Sequence, residues 1–186
     1  MGPAEELRYL VLATQREGNR ELARALRPLG LTPAQAEVLV VLGAEAPLSV
    51  RAVGARLVCE AGSPSRLVSG LVAAGLVERG GSGEDARLSV LRLTAAGLAA
   101  LEGIRAAEQP LHDQIERAGT AADLARVANL LRGLVADRPA GRAVELRRTA
   151  DNVPVPIRRR DDPAPGLAHQ VRSPASHEGA PGDAGR

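Results

Sequence analysis

Apolar side chains recur at spacings of three, four or seven at Leu7, Leu10, Val11, Leu22, Ala25, Leu26 and Leu29, which predicts one long amphipathic helix over residues 4–27. Thr14 and Gly18 thin the middle of that stripe, and Pro28 and Gly30 end it. Thr32, Pro33 and Gln35 form a capping box with proline at the first helical position, so a second helix starts there. Ala36, Leu39, Val40 and Leu42 supply its buried side, and Gly43 and Pro47 close it. Ser49 caps a short third helix with Val50, Val53 and Leu57 inward. Ser63 followed by Pro64 opens a fourth, from about 63 to 74, with Leu67, Leu71 and Val72 inward and Gly75 as its positive-φ stop.

The period then changes. Leu76–Arg79 and Leu88–Leu93 read as strands around the loose turn Gly80-Gly81-Ser82-Gly83-Glu84, and Leu91 and Leu93 alternate with Val90 and Arg92. Thr94 caps a fifth helix carrying Leu98, Leu101, Ile104, Leu111 and Ile115, which Pro110 should kink or split. Thr120-Ala121-Ala122-Asp123 opens a sixth, with Leu124, Val127, Leu131, Leu134 and Val135 on one side. From Arg138 the periodicity ends. Seven of the 13 prolines follow, so residues 138–186 are expected to be a disordered Pro/Arg-rich tail. The fold class is therefore mainly α with a small β-hairpin wing. Two short helices and a hairpin within residues 48–97 make a winged helix-turn-helix, flanked by long helices.

Composition narrows the function. Tyr9 is the only aromatic residue, so the core must be built from Leu, Val, Ile and Ala. No run of about 18 apolar residues predicts a membrane span, and Met1-Gly2-Pro3-Ala4-Glu5-Glu6 has no secretory character, so a cytoplasmic location is expected. Cys59 is the single cysteine and, with His112, His169 and His177 scattered, forms no metal constellation. No nucleophile–base pair or phosphate-binding glycine loop is present, so neither an enzyme nor a cofactor is expected. The net charge of +2 is unevenly placed: residues 1–137 hold 15 Arg against 16 acids, and the tail holds nine against six. A DNA-binding surface must come from local segregation. Residues 48–97 carry Arg51, Arg56, Arg66, Arg79, Arg87 and Arg92 against four acids.

The segment Asp85-x-Arg87-x-x-x-Leu91-x-Leu93-Thr94-x-x-Gly97 matches at every defined position the wing signature of the MarR (multiple antibiotic resistance regulator) family of transcription factors. Leu31-Thr32-Pro33-x-Gln35 and Gly75-Leu76-Val77-Glu78-Arg79 also resemble family segments. The resemblance spans roughly residues 5–137. It implies one domain over 4–137, with dimerisation helices at 4–30 and 95–137 around a DNA-binding lobe at 31–94. It also implies a homodimer on double-stranded DNA. Where the family commonly has Ser-Pro-Ser-Thr-Val before its recognition helix, this chain has Glu60-Ala61-Gly62-Ser63-Pro64, and Gly70 stands where a basic residue is common.

Within that frame, Arg66 lies early on the fourth helix, opposite Leu67 and Leu71, where its fork could pair with guanine. Ser63, Ser65 and Ser69 lie on the same or adjoining faces, within reach of phosphates or base edges. Ser49 opens the third helix, whose free N–H groups suit a phosphate. Arg87 at the wing tip would enter a minor groove, held by Asp85 two residues away. The family often binds small, frequently aromatic acids between dimerisation region and lobe. Tyr9, Thr14, Gly18 and His112 are the candidate ligand neighbours for such an aromatic or phenolic effector. The expected function is a homodimeric repressor of a palindromic operator, with release by that ligand as a further expectation. The alternative is a dimeric winged-helix adaptor acting through protein contacts.

Overall fold

The computed structural model describes residues 1–59, 63–81 and 89–151. The chain divides into two units, Met1–Val153 and Pro154–Arg186; everything described belongs to the first. Its elements run α1 (Pro3–Leu26), a 3₁₀ turn (Arg27–Leu29), α2 (Pro33–Glu45), α3 (Val50–Gly54), α4 (Pro64–Ala73), β1 (Val77–Gly81), β2 (Ser89–Leu93), α5 (Ala95–Arg117), α6 (Ala121–Val135) and α7 (Pro139–Asp151).

The starts are fixed by capping. Thr32 Oγ1 accepts from Gln35 N–H while the Gln35 carbonyl oxygen accepts from Thr32 N–H, which completes the box before α2. Thr120 and Asp123 do the same for α6. Ser49, Ser63 and Thr94 cap α3, α4 and α5 by accepting the N–H of Ala52, Arg66 and Gly97. Gly75 ends the α4 segment at φ +70°, in the left-handed region glycine favours.

α2 is the centre. The expected face of Ala36, Leu39, Val40 and Leu42 is too narrow: Ala34, Val38 and Val41 are buried as well. α1, α3, α4, α5, β2 and α7 all pack against it, and a helix apolar on every side is one buried on every side. Around it gather Leu26, Val53, Val68, Leu71, Val77, Leu91 and Ile104. On α4, Val68 is fully buried with Leu71, while Leu67 and Val72 are only partly covered; the inward face is rotated by a residue from the expected one.

β1 and β2 pair antiparallel from Val77↔Leu93 to Gly81↔Ser89. Leu48 joins the ladder beside Leu91, with hydrogen bonds of 2.8 and 3.3 Å that tie the start of α3 to the wing. Thr94 Oγ1 donates to Gly75 O at 2.7 Å and Thr94 N–H to Leu76 O at 3.1 Å, which fixes the foot of the wing to the end of α4. Gly97 passes so close to the Leu76 carbonyl that any Cβ there would collide with it. That contact gives the physical need for the Thr94-x-x-Gly97 part of the wing signature.

Two expectations are corrected. Of the kink or split expected at Pro110, the split is excluded: α5 is one helix from Ala95 to Arg117. Ala106 and Pro110 are both exposed, so the carbonyl that loses its helical donor lies on the solvent side. Residues 139–151, expected to be disordered, form α7. Gly141 lets it pass against the Val135 carbonyl, Ala143 is buried, and Arg147 pairs with a buried carboxylate; a few tertiary contacts order a stretch whose own sequence is polar.

Candidate nucleic-acid interface

α3 and α4 form the helix-turn-helix. Their approach is close because Gly54 faces Pro64: a Cβ at Gly54 would lie 2.8 Å from Pro64 Cγ. α4 buries Val68 and Leu71 and turns Ser65, Arg66, Ser69, Gly70 and Ala73 to solvent. At 100° per residue these five share one arc. Arg66 makes no ion pair with the described residues and is exposed near the N-terminal end of α4. Ser63 is exposed but engaged as the N-cap, and Ser49 likewise at α3. Arg51, Arg79 and Arg92 are exposed on α3 and the wing strands.

Arg56 belongs to the architecture. Its Nε sits 2.8 Å from both Glu45 oxygens and its Nη2 2.7 Å from Oε2, with both side chains largely buried. It clamps the end of α3 to the end of α2 and contributes nothing to the lobe's outward charge. Asp85, Arg87 and Leu88 lie outside the described residues, as do Glu60, Ala61 and Gly62 before α4; the register carries the wing only to Gly81↔Ser89 at its base.

The sequence reading missed Glu37. Its side chain is 8% exposed and its two oxygens accept the backbone N–H groups of Val58 and Cys59 at 2.8 and 2.9 Å. Arg147 from α7 pairs with the same carboxylate at 2.8 Å. An acid set directly before the apolar run Val38–Leu42 was the available signal. Cys59 is half-buried, and its thiol is pushed up to about 11, first by burial and then by the Glu37 carboxylate beside it.

None of the four candidate ligand residues lines the cleft beside α7. Tyr9 is exposed on α1, with Arg8 stacked 4.4 Å from its ring centre; Thr14 and His112 are exposed, and Gly18 borders open space. The cleft, about 420 Å³, lies instead between the end of α3 and α7, lined by Gly54, Leu57, Val58, Cys59, Arg142 and Leu146 among others. Among the described residues no group of His, Cys, Asp or Glu could hold a metal ion, and no helix is long and apolar enough to cross a membrane.

Apolar side chains also stand uncovered. Leu10 and Leu12 on α1, Leu98 and Ile115 on α5, and Val127, Leu130 and Leu134 on α6 are exposed, and α6 has no buried residue at all.

The fold has known relatives. The MarR family model matches residues 29–88, which span α2 to the wing. A mutant MarR from E. coli, solved in complex with operator DNA, superposes with a TM-score of 0.61 at 28% identity, covering 70% of this chain and 94% of that one. A MarR-family regulator from Silicibacter pomeroyi gives 0.62 at 27% identity, over 74% and 92%. PcaV from Streptomyces coelicolor, in complex with its natural ligand, gives 0.55 at 26%, over 74% and 94%. A search among curated proteins finds no match. Sequence signature, helix-turn-helix geometry and these likenesses agree: residues 29–88 carry the MarR-family winged helix-turn-helix of DNA-binding transcriptional regulators.

Proposed function

We propose that this protein is a homodimeric repressor that binds a palindromic operator in cytoplasmic DNA. The observation that carries the reading is the outward arc of α4, where Ser65, Arg66 and Ser69 face solvent beside a capped helix start. Arg66 reads base edges in the major groove, while Ser49, Ser63, Ser65 and Ser69 contact phosphates or base edges around it. Arg87, aimed by Asp85, reaches the adjoining minor groove. The uncovered apolar faces of α1, α5 and α6 support pairing through those helices, because a patch of this kind on a soluble chain marks an interaction surface. Pairing sets two α4 helices about 34–36 Å apart, one turn of DNA, which makes the operator an imperfect palindrome.

A small aromatic or phenolic acid near Tyr9, Thr14, Gly18 and His112 would release the DNA by favouring a lobe spacing unfit for it. The likeness to PcaV, whose structure holds its natural ligand, supports this reading.

The experiment is selection of duplexes from a random pool by the full chain, followed by titration of the winner at several salt concentrations. Selection should return an inverted repeat, and affinity should fall with a log–log slope of about −0.9 per phosphate neutralised. In run-off transcription, repression should follow occupancy, and phenolic acids should relieve it. Arg87→Ala should weaken binding by at least about tenfold with the fold intact. Absence of any selected sequence would sink the reading in favour of a protein-binding adaptor.

A further inference from the structure

α7 adds a contact to the helix-turn-helix from far along the chain. Glu37 is the most deeply buried charged side chain among the described residues. Its carboxylate holds the backbone at Val58 and Cys59, the last described positions before the segment that leads to Ser63 and α4. A carboxylate so enclosed needs a countercharge, since an unpaired buried ion is costly. Arg147 Nη1 supplies it at 2.8 Å from Glu37 Oε1, across 110 residues of sequence. Arg147 is itself held in place: Ala143, one turn earlier, is buried, and Glu145 pairs with Arg132 of α6 at 2.9 Å. α7 thus touches both α6 and α2, and through Glu37 it reaches the backbone at Val58 and Cys59.

We infer that Arg147 is a positioning residue for DNA recognition. By neutralising Glu37 it holds the backbone of Val58 and Cys59, and hence the approach to α4, in the pose that meets DNA. α7 is a strut from α6 to the helix-turn-helix. The inference rests on α4 being the DNA-reading helix, but the strut itself is testable without DNA.

The test uses the full chain and three variants, Arg147→Ala, Arg147→Gln and Arg147→Lys. Amide hydrogen exchange at Val58 and Cys59 is measured first, with no DNA present. Affinity and salt slope on the duplex selected by the unmodified chain are measured second. Loss of the countercharge in Arg147→Ala should speed exchange at both amides and weaken binding, each by about tenfold. Arg147 lies off the DNA-facing arc, so the salt slope should stay unchanged. Arg147→Gln should match Arg147→Ala and stands in for it should the latter not fold. Arg147→Lys, which keeps the charge, should restore most of both losses. Unchanged exchange at Val58 and Cys59 overturns the strut. Faster exchange with unchanged affinity overturns the link to recognition. A slope lower by about 0.9 per copy would make Arg147 a direct phosphate contact and overturn the inference too. Failure of the unmodified chain to select any duplex, with exchange altered as expected, would reject the DNA reading and leave the strut standing.

Discussion

Replacing Arg66 with Ala separates recognition from folding unusually well. The side chain is exposed and forms no ion pair with the described residues, so its removal leaves no buried partner unsatisfied. Its backbone N–H still donates to the Ser63 hydroxyl at 3.3 Å, so the cap of α4 survives. Alanine is at least as good a helix former as arginine. Arg66→Ala should therefore melt with the parent chain, and any loss must appear in DNA binding. A well-made Arg–guanine pair discriminates by about 1–3 kcal/mol, and a symmetric dimer loses two, so cognate affinity should fall by about 30-fold to about 10⁴-fold. Fluorescence anisotropy on labelled operator, against the same duplex with the contacted base pair exchanged, gives the size and the specificity of the loss. Base reading predicts that the variant no longer distinguishes the two duplexes while its salt slope is kept. A phosphate contact predicts equal weakening on both and a slope smaller by about 0.9 per copy. A folded variant that binds and discriminates like the parent would refute the assignment of Arg66 to the interface.

Other consequences follow from the packing and the titration behaviour. Gly54→Ala places a methyl 2.8 Å from Pro64 Cγ, so α3 and α4 must move apart; overpacking of this kind costs about 1–3 kcal/mol, visible as a lower urea midpoint. Leu134→Asp puts a charge into an exposed apolar face of α6 and should shift sedimentation from dimer to monomer without changing the helical signal; a variant still dimeric at micromolar concentration would remove α6 from the interface. The Cys59 thiol, at about 11 in the fold against an ordinary 9.0, should carry about 100-fold less thiolate at pH 8 than the unfolded chain, so iodoacetamide should label it slowly until urea is added. Because the folded state holds that proton more tightly, Cys59 supports the fold fully below pH 9.0, and its contribution is lost as the pH climbs towards 11.

Local chemistry was legible in the chain. Thr32 with Gln35, Ser49, Ser63, Thr94 and Thr120 with Asp123 each mark a helix start, because a hydroxyl that accepts an N–H two or three residues on acts within one turn and needs no distant partner. Gly75 and the alternation through Leu91 and Leu93 are local for the same reason, and with Arg87 and Gly97 they carry the family resemblance. What depends on residues far apart was not legible. Val38 and Val41 are buried because six elements surround α2, which no periodicity within one helix reveals. Arg56 counts as one more positive charge until the fold sets Glu45 against it. Residues 139–151 look like polar tail until Gly141 slips beneath the Val135 carbonyl and Arg147 meets Glu37. The sequence alone decided where α2 to α6 begin and which family signature the chain bears, whereas Gly80 and Gly81, expected in the turn, are paired in β1. Only the tertiary structure decided which charges are free to meet DNA and which are held inside, since an ion's role depends on what the fold brings within about 4 Å of it.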